Sequence, residues 1–329
     1  MADTKTDEPI FLGYDIGGTK IAVCVADASG SIFADARIEG GTQDAYENVF
    51  PHMVEVGRET IRRAQLSEDS IAGCGISAPG PLDLKEGRML KSPNMAWENV
   101  PILRDLREAF NKPAALQNDA NAGALAEHYF GAGQNQDNMI YLTMSTGIGG
   151  GVIANGQLIE GTSGNAAELG HIVLDPSGPA CGCGMCGCLE AFCGGQNVAT
   201  RLRKQMEHAP RDEILNLPMV GGDLNNLNYK SLREAVRAEI PEALDIWDQI
   251  CFRLAQGVGT HIMTFNPDVV ILGTVAYYSG ELMMKPLREY LPRFAWKVIL
   301  DSCELNVTAL GKHIGELSGI AVVRYSELG

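Results

Sequence analysis

The chain has 329 residues, enough for two hydrophobic cores, and its 45% apolar and 20% charged residues are ordinary for a soluble globular protein. A formal net charge of −15 excludes the broad basic face that sequence-independent nucleic-acid binding needs. It leaves room for a nucleotide, because phosphates can be held locally by backbone N–H groups and a metal ion.

The start, MADTKTDEPI, lacks the basic-then-apolar order of a secretory leader. No apolar run reaches the ~18–20 residues of a membrane span. A cytoplasmic protein is expected. In a reducing compartment the cysteines clustered from Cys181 to Cys193 point to metal rather than disulfides. Cys24, Cys74, Cys251 and Cys303 lie in apolar contexts and read as core.

Strand-like Ile10 to Tyr14 ends at Asp15, and the turn Ile16-Gly17-Gly18-Thr19-Lys20 leads into a second strand, Ile21 to Ala26. Asp27-Ala28-Ser29-Gly30 then turns into a third strand, about Ser31 to Arg37, giving an antiparallel meander. A helix from Met53 to Ala64, with Pro51 near its start, precedes the strand Ile71 to Ser77. Ala78-Pro79-Gly80-Pro81 follows. A helix over Ile102 to Phe110 leads to the strand Ala114 to Asn118, and Asp119 opens a helix through Phe130.

The first pattern then repeats. Asn138 to Leu142 is a strand, and Thr143-Met144-Ser145-Thr146-Gly147-Ile148-Gly149 is a polar, glycine-rich turn. Gly150 to Ala154 is a strand, and Asn155-Gly156 is a tight hairpin. Two copies of strand, glycine turn and strand predict a duplicated domain. Further on, the polar stretch from Glu207 to Lys230 reads as loops. In Pro241 to Thr264, the residues Ile246, Ile250, Leu254, Val258 and Ile262 mark one face of a long helix. The buried strand Val269 to Leu272 and a last helix, about Gly315 to Tyr325, complete the elements.

Glycines in both turns let backbone N–H groups approach a phosphate, and Thr19, Ser145 and Thr146 add hydroxyls. Asp15 suits a magnesium ion held through water. Neither turn has the GxxxxGK[ST] spacing of a P-loop. Asp119, between strand and helix, suits two roles: a helix N-cap, or a base accepting a proton from an attacking hydroxyl. His171, Cys181, Cys183 and Cys188 match a closed tetrahedral zinc site, with Cys186 and Cys193 near enough to replace a ligand. Glu168 and Glu190 bracket that cluster, either as acceptors for sugar hydroxyls or as solvated surface charge.

Together, Asp15-Ile16-Gly17-Gly18-Thr19-Lys20, Pro79-Gly80-Pro81, Asn118-Asp119-Ala120-Asn121, Ser145 to Gly151, Glu168-Leu169-Gly170-His171 and the string from Cys181 to Glu190 resemble the ROK family of repressors, open reading frames and kinases. The resemblance covers nearly the whole chain. It implies a duplicated actin-like, hexokinase-type (ribonuclease H-like) α/β fold, with two lobes and a cleft between them. An N-terminal lobe of residues 1–118 is expected, with the C-terminal helix of about 313–329 packed back on it. Residues 119–312, with a zinc loop at 171–193, would form the second lobe.

The resemblance assigns Asp119 as catalytic base. It assigns Gly80, Asn94, Asn118, Glu168, His171 and Glu190 to sugar binding, with His171 serving metal and sugar together. It assigns Asp15, Gly17, Gly18, Thr19, Lys20, Ser145, Thr146, Gly147, Gly149 and Gly273 to ATP and magnesium. The implied cofactors are ATP, Mg2+ and a structural Zn2+. The family often has glycine where this chain has Ala167, and further glycines where it has Thr274 and Val275. Repressor members carry an N-terminal helix-turn-helix domain, for which the short stretch before Asp15 leaves no room. An ATP-dependent hexose kinase acting on glucose is therefore expected, partnered by small molecules and not by nucleic acid or membrane, and a homodimer or homotetramer. The alternatives are a kinase of N-acetylmannosamine or N-acetylglucosamine, or a sugar-responsive regulator without catalysis.

Overall fold

The computed structural model describes residues 8–40, 43–91, 95–208 and 212–328. Strands β1 (Ile10–Ile16), β2 (Lys20–Asp27) and β3 (Ile32–Glu39) form the expected meander. After helix α1 (Tyr46–Arg63) come β4 (Ile71–Ala78), a small hairpin of β5 (Leu82–Asp83) and β6 (Arg88–Met89), α2 (Ile102–Phe110) and β7 (Ala114–Asn118). The first sheet has the order β3-β2-β1-β4-β7, with β4 parallel to both β1 and β7.

Helix α3 (Asp119–Phe130) leads to β8 (Met139–Met144), β9 (Ile148–Ala154) and β10 (Gln157–Leu158). Then follow α4 (Leu189–Cys193), α5 (Gly195–His208), α6 (Asp212–Leu215), α7 (Tyr229–Arg237) and α8 (Pro241–Phe265). Next come β11 (Val269–Leu272), α9 (Val275–Ser279), α10 (Glu281–Tyr290), α11 (Lys297–Leu300), β12 (Glu304–Val307) and α12 (Ile314–Leu328). The second sheet runs β10-β9-β8-β11-β12, the first sheet's order again. The duplication read from the two glycine turns is thus a duplication of strand order. Among the described residues no helix is long and apolar enough to cross a membrane.

Each sheet has its own core, and a third core lies between them. Buried residues of α3, such as Ala122 and Leu125, and of α12, such as Leu317 and Ile320, pack there against Phe11 of β1 and Val269 of β11. A Cβ at Gly75 of β4 would fall 1.8 Å from the Gly319 carbonyl oxygen, so sheet and helix touch through their backbones. Arg37 of β3 also bonds Glu316 of α12 at 2.6 Å.

Two elements depart from the sequence reading. α1 begins at Tyr46, with Pro51 inside it rather than at its start. Tyr46 is buried, its ring meets Trp97 edge-on at 5.2 Å, and its hydroxyl donates to Asp105 at 2.9 Å. Those contacts offset the one helix hydrogen bond that proline removes. The stretch from Glu207 to Lys230 is helical at α6 and at the start of α7, because Ile214, Val220 and Leu227 are buried in the second core; residues 209–211 lie outside the described residues.

Gly75→Ala is expected to lower unfolding free energy by at least about 1–3 kcal/mol, since no flexible side chain can yield to the new methyl. Denaturant titration measures it; an unchanged midpoint would show that α12 seats differently.

Candidate active site

A cleft of about 1530 Å³ opens between the two glycine turns. In the β1–β2 turn the Gly17 N–H donates to the Lys20 carbonyl at 2.9 Å, and Gly17, Gly18 and Thr19 line the cleft. In the β8–β9 turn the Ser145 N–H donates to the Gly147 carbonyl at 2.9 Å. This second turn is clamped from behind. The Gly195 and Gln196 N–H groups at the start of α5 donate to the carbonyls of Ser145 (3.0 Å) and Thr146 (2.8 Å). Ser145, Thr146, Gly147 and Gly149 all face the cleft.

Asp119 is the first residue of α3, and it does not cap the helix. Asn118 does, accepting from the Asn121 N–H at 2.7 Å. The Asp119 carboxylate is left open to the cleft. Crowding by both walls removes water around it and raises its pKa above the ordinary carboxylate value, with the Glu168 charge adding to the rise. Gln117, at the end of β7, fixes this junction. Its Oε1 accepts from the Asn118 N–H (2.9 Å) and from Asn121 Nδ2 (3.2 Å), and its Nε2 donates to Glu160 (2.8 Å). The sequence reading missed Gln117. The available signal was a polar residue in an otherwise buried strand directly before Asn-Asp.

Asp15 lies at the end of β1, behind the lining rather than in it, and its Oδ1 accepts from the Ser77 hydroxyl at 2.6 Å. Burial pushes its pKa up to about 7, against the lowering effect of the Ser77 hydrogen bond.

Glu190, on α4, joins two parts of the site. Its Oε2 accepts from the Ile148 N–H at 2.8 Å, which fixes the second turn, and Oε1 lies 3.7 Å from Cys181 Sγ. A Cβ at Gly147 would fall 2.3 Å from Glu190 Oε2, so only glycine leaves space for this carboxylate. Glu190 is therefore not solvated surface charge.

The ligand atoms of His171, Cys181, Cys183 and Cys188 lie within 4.8 Å of one another. Cys181 Sγ is 3.6 Å from His171 Nδ1, and Cys183 Sγ is 3.7 Å from Cys188 Sγ. Ion–sulfur bonds of ~2.3 Å and ion–nitrogen bonds of ~2.0–2.1 Å in a tetrahedron demand edges of about 3.6 Å (S to N) and about 3.8 Å (S to S). The two measured edges match such an ion, and the donor set of one imidazole and three thiols within 4.8 Å fits it chemically. Cys193 is not among them: it is buried in the core, where its thiol donates to the Ile250 carbonyl at 3.5 Å. Cys186 is exposed and outside the group.

Gly80, Asn118, Glu168 and His171 also line the cleft. Asn94 lies outside the described residues. Lys20 and Gly273 are not brought to the cleft wall. Lys20 is exposed at the first position of β2, and Gly273 packs on Tyr141, whose hydroxyl lies 2.5 Å from where a Cβ would be. Ala167, beside Glu168, has φ 63° and lines the cleft, and Thr274 has φ 39°. Both keep a backbone suited to glycine while carrying a side chain.

The raised pKa of Asp15 means that the folded protein binds this proton more tightly than the unfolded chain. The stability it contributes is complete below pH 3.8 and is lost as pH rises toward about 7. Asp119 titrates in the same sense. Asp15→Asn should flatten part of that decline, read as the difference between wild-type and variant denaturation midpoints across this range. Parallel curves would contradict it.

A model of the ROK family matches residues 11–323. The chain is 33% identical over 318 residues to a glucokinase of Thermotoga maritima, covering 95% of this chain and 96% of that protein. It is 27% identical over 323 residues to a xylose repressor of Caldicellulosiruptor bescii, covering 98% of this chain and 80% of that protein. The crystal structure of a ROK family glucokinase from Streptomyces griseus, in complex with glucose and AMPPNP, matches with a TM-score of 0.77 at 30% identity, over 95% of this chain and 98% of that one. With its glycine turns, its cluster of one histidine and three cysteines and a family match along almost its whole length, the chain belongs to the ROK family and has the two-lobed, actin-like α/β fold of its sugar kinases.

Proposed function

We propose that the protein is an ATP-dependent sugar kinase that phosphorylates a hexose, with glucose giving glucose 6-phosphate as the first choice. The observation that carries this reading is Asp119: a carboxylate released from helix capping, facing a cleft walled by two glycine turns. The likeness to glucokinases from two organisms supports it.

In this mechanism the Asp119 carboxylate accepts the proton of the attacking hydroxyl as that oxygen bonds to the γ-phosphorus. The bond from phosphorus to the β,γ-bridging oxygen breaks, and ADP leaves. A raised pKa brings the base closer to neutral pH, where general-base catalysis is most effective. N–H groups of the two turns that are not already bonded within them, such as those of Thr146 and Gly147, hold the phosphates, and Asp15, just behind the lining, would help hold Mg2+ through water. Asn118 keeps its Nδ2 for a sugar oxygen, its Oδ1 being committed to the cap. Glu168, Glu190 and His171 bind the remaining hydroxyls.

His171, Cys181, Cys183 and Cys188 would hold Zn2+, which supplies rigidity rather than a reacting group. With Nδ1 on the cluster side, His171 presents Nε2 to the sugar. Rotation of one lobe toward the other on sugar binding would exclude water from the γ-phosphate.

ADP release measured with glucose, mannose, fructose, N-acetylglucosamine and N-acetylmannosamine is expected to be fastest with glucose. Preference for an N-acetyl sugar would move the substrate within the class. Silence with every sugar, combined with retained sugar binding, would make the chain a sensor akin to the repressor relatives. Asp119→Asn should lower kcat by ~10²–10⁴-fold with little change in sugar affinity. A near-normal kcat would remove Asp119 from its role. Chelation in reducing buffer should release one zinc per chain and weaken sugar binding and thermal stability together; a zinc-free protein of full affinity would refute the metal assignment.

A further inference from the structure

A second cavity, of about 620 Å³, lies in the second lobe between α4, α5, α8 and the end of α10, and shares no lining residue with the catalytic cleft. Three guanidinium groups line it, Arg201, Arg253 and Arg293, with Asp248 as the one acidic group. In a chain of net charge −15, a wall with this excess of cations is a local exception.

The cations are seated on rings. Arg253 lies 4.4 Å above the centre of Phe192, and Arg293 lies 5.0 Å above Phe252. Stacking of this kind occupies the guanidinium face and leaves its in-plane N–H donors for an anion. Arg253 is partly engaged, donating to Asp175 at 3.3 Å and to Gln256 at 2.9 Å. Arg201 donates to the Phe192 carbonyl. Among the described residues neither Arg201 nor Arg293 has a carboxylate partner, and Arg293 makes no hydrogen bond within the protein. Asp248 is turned to another task, accepting from the Tyr290 hydroxyl at 2.6 Å. The rest of the wall is apolar, including Val198, Leu202 and Ile246.

We propose that this cavity is a second ligand site, which binds a small phosphate monoester carrying a flat, apolar carbon body. A phosphate monoester carries about −1.5 to −2 at neutral pH and offers three strong acceptors, which suits Arg201 and Arg293, neither paired to a carboxylate, with Arg253, already bonded to Asp175, beside them. The volume falls within the ~300–1,000 Å³ of small-molecule sites, and the aromatic and aliphatic walls suit the carbon body. The cavity abuts the sugar cleft's own scaffold: Phe192 is two residues past Glu190 on α4, and Arg201 holds its carbonyl.

The probe is phenyl phosphate, with phenol as its uncharged counterpart, titrated calorimetrically into the full chain. Phenyl phosphate is expected to bind, at least tenfold more tightly than phenol, and Arg293→Ala and Gln249→Glu should each weaken it at least tenfold. Both positions are exposed and outside the catalytic lining, so an unchanged melting temperature is expected and a loss reports this cavity. Because neither variant touches the cleft, the result is independent of whether the protein is a kinase. The proposal is overturned if phenyl phosphate does not bind, if phenol binds as well, or if both variants bind like wild type. It is also overturned if either variant dissociates a wild-type oligomer in sedimentation, since the cavity would then be an interface between copies.

Discussion

The layer of α3 and α12 between the two sheets is the constraint on which everything else rests. Apolar burial holds it there, and the Gly75–Gly319 contact sets how closely it sits. Backbone touching backbone has no rotamers to adjust, so this distance is set more firmly than ordinary side-chain packing would set it. The functional groups lie at the ends of this layer. Asp119 begins α3, and Asp15 ends the strand on which α12 lies. The spacing between the Asp119 carboxylate and the glycine turns is thereby inherited from core packing rather than from loops.

Electrostatics follows from the same layer. The two walls surrounding Asp15 and Asp119 disfavour their charged forms and raise both pKa values. Their mutual repulsion adds to the effect at Asp15. Such a site costs stability at neutral pH in the absence of counter-charge. Around the second turn the logic is different. Glu190 spends one oxygen on a backbone N–H and aims the other at the cysteine cluster, so turn and cluster share one rigid carboxylate.

Much of this was legible in the sequence because chemistry restricts residue types. Glycine turns, a carboxylate between strand and helix, and three cysteines with a histidine leave few alternatives, and the repeated turn announced the repeated sheet. What stayed hidden depended on three-dimensional competition. Asn118 and Asp119 are both good caps, and only the fold decides which one takes the helix. Pro51 looked like a helix start because the contacts of Tyr46 with Trp97 and Asp105 come from far along the chain. Gly273 matched a ligand-binding pattern, yet its lack of a side chain accommodates Tyr141. Ala167 reads as an ordinary small residue until its φ of 63° is seen.

The repeated strand order has one last consequence, for mechanics. The chain leaves the first sheet after β7 through α3 and returns after β12 into α12, so two covalent crossings join the halves. A rotation of one half against the other must be carried by those crossings, and displacement grows with distance from them. Asp119 stands at the start of the first crossing, and the strand that follows the second turn packs directly beside it, a Cβ at Gly149 falling 2.9 Å from Ala120 Cβ. Asp119 and the second glycine turn therefore lie on the same side of that hinge.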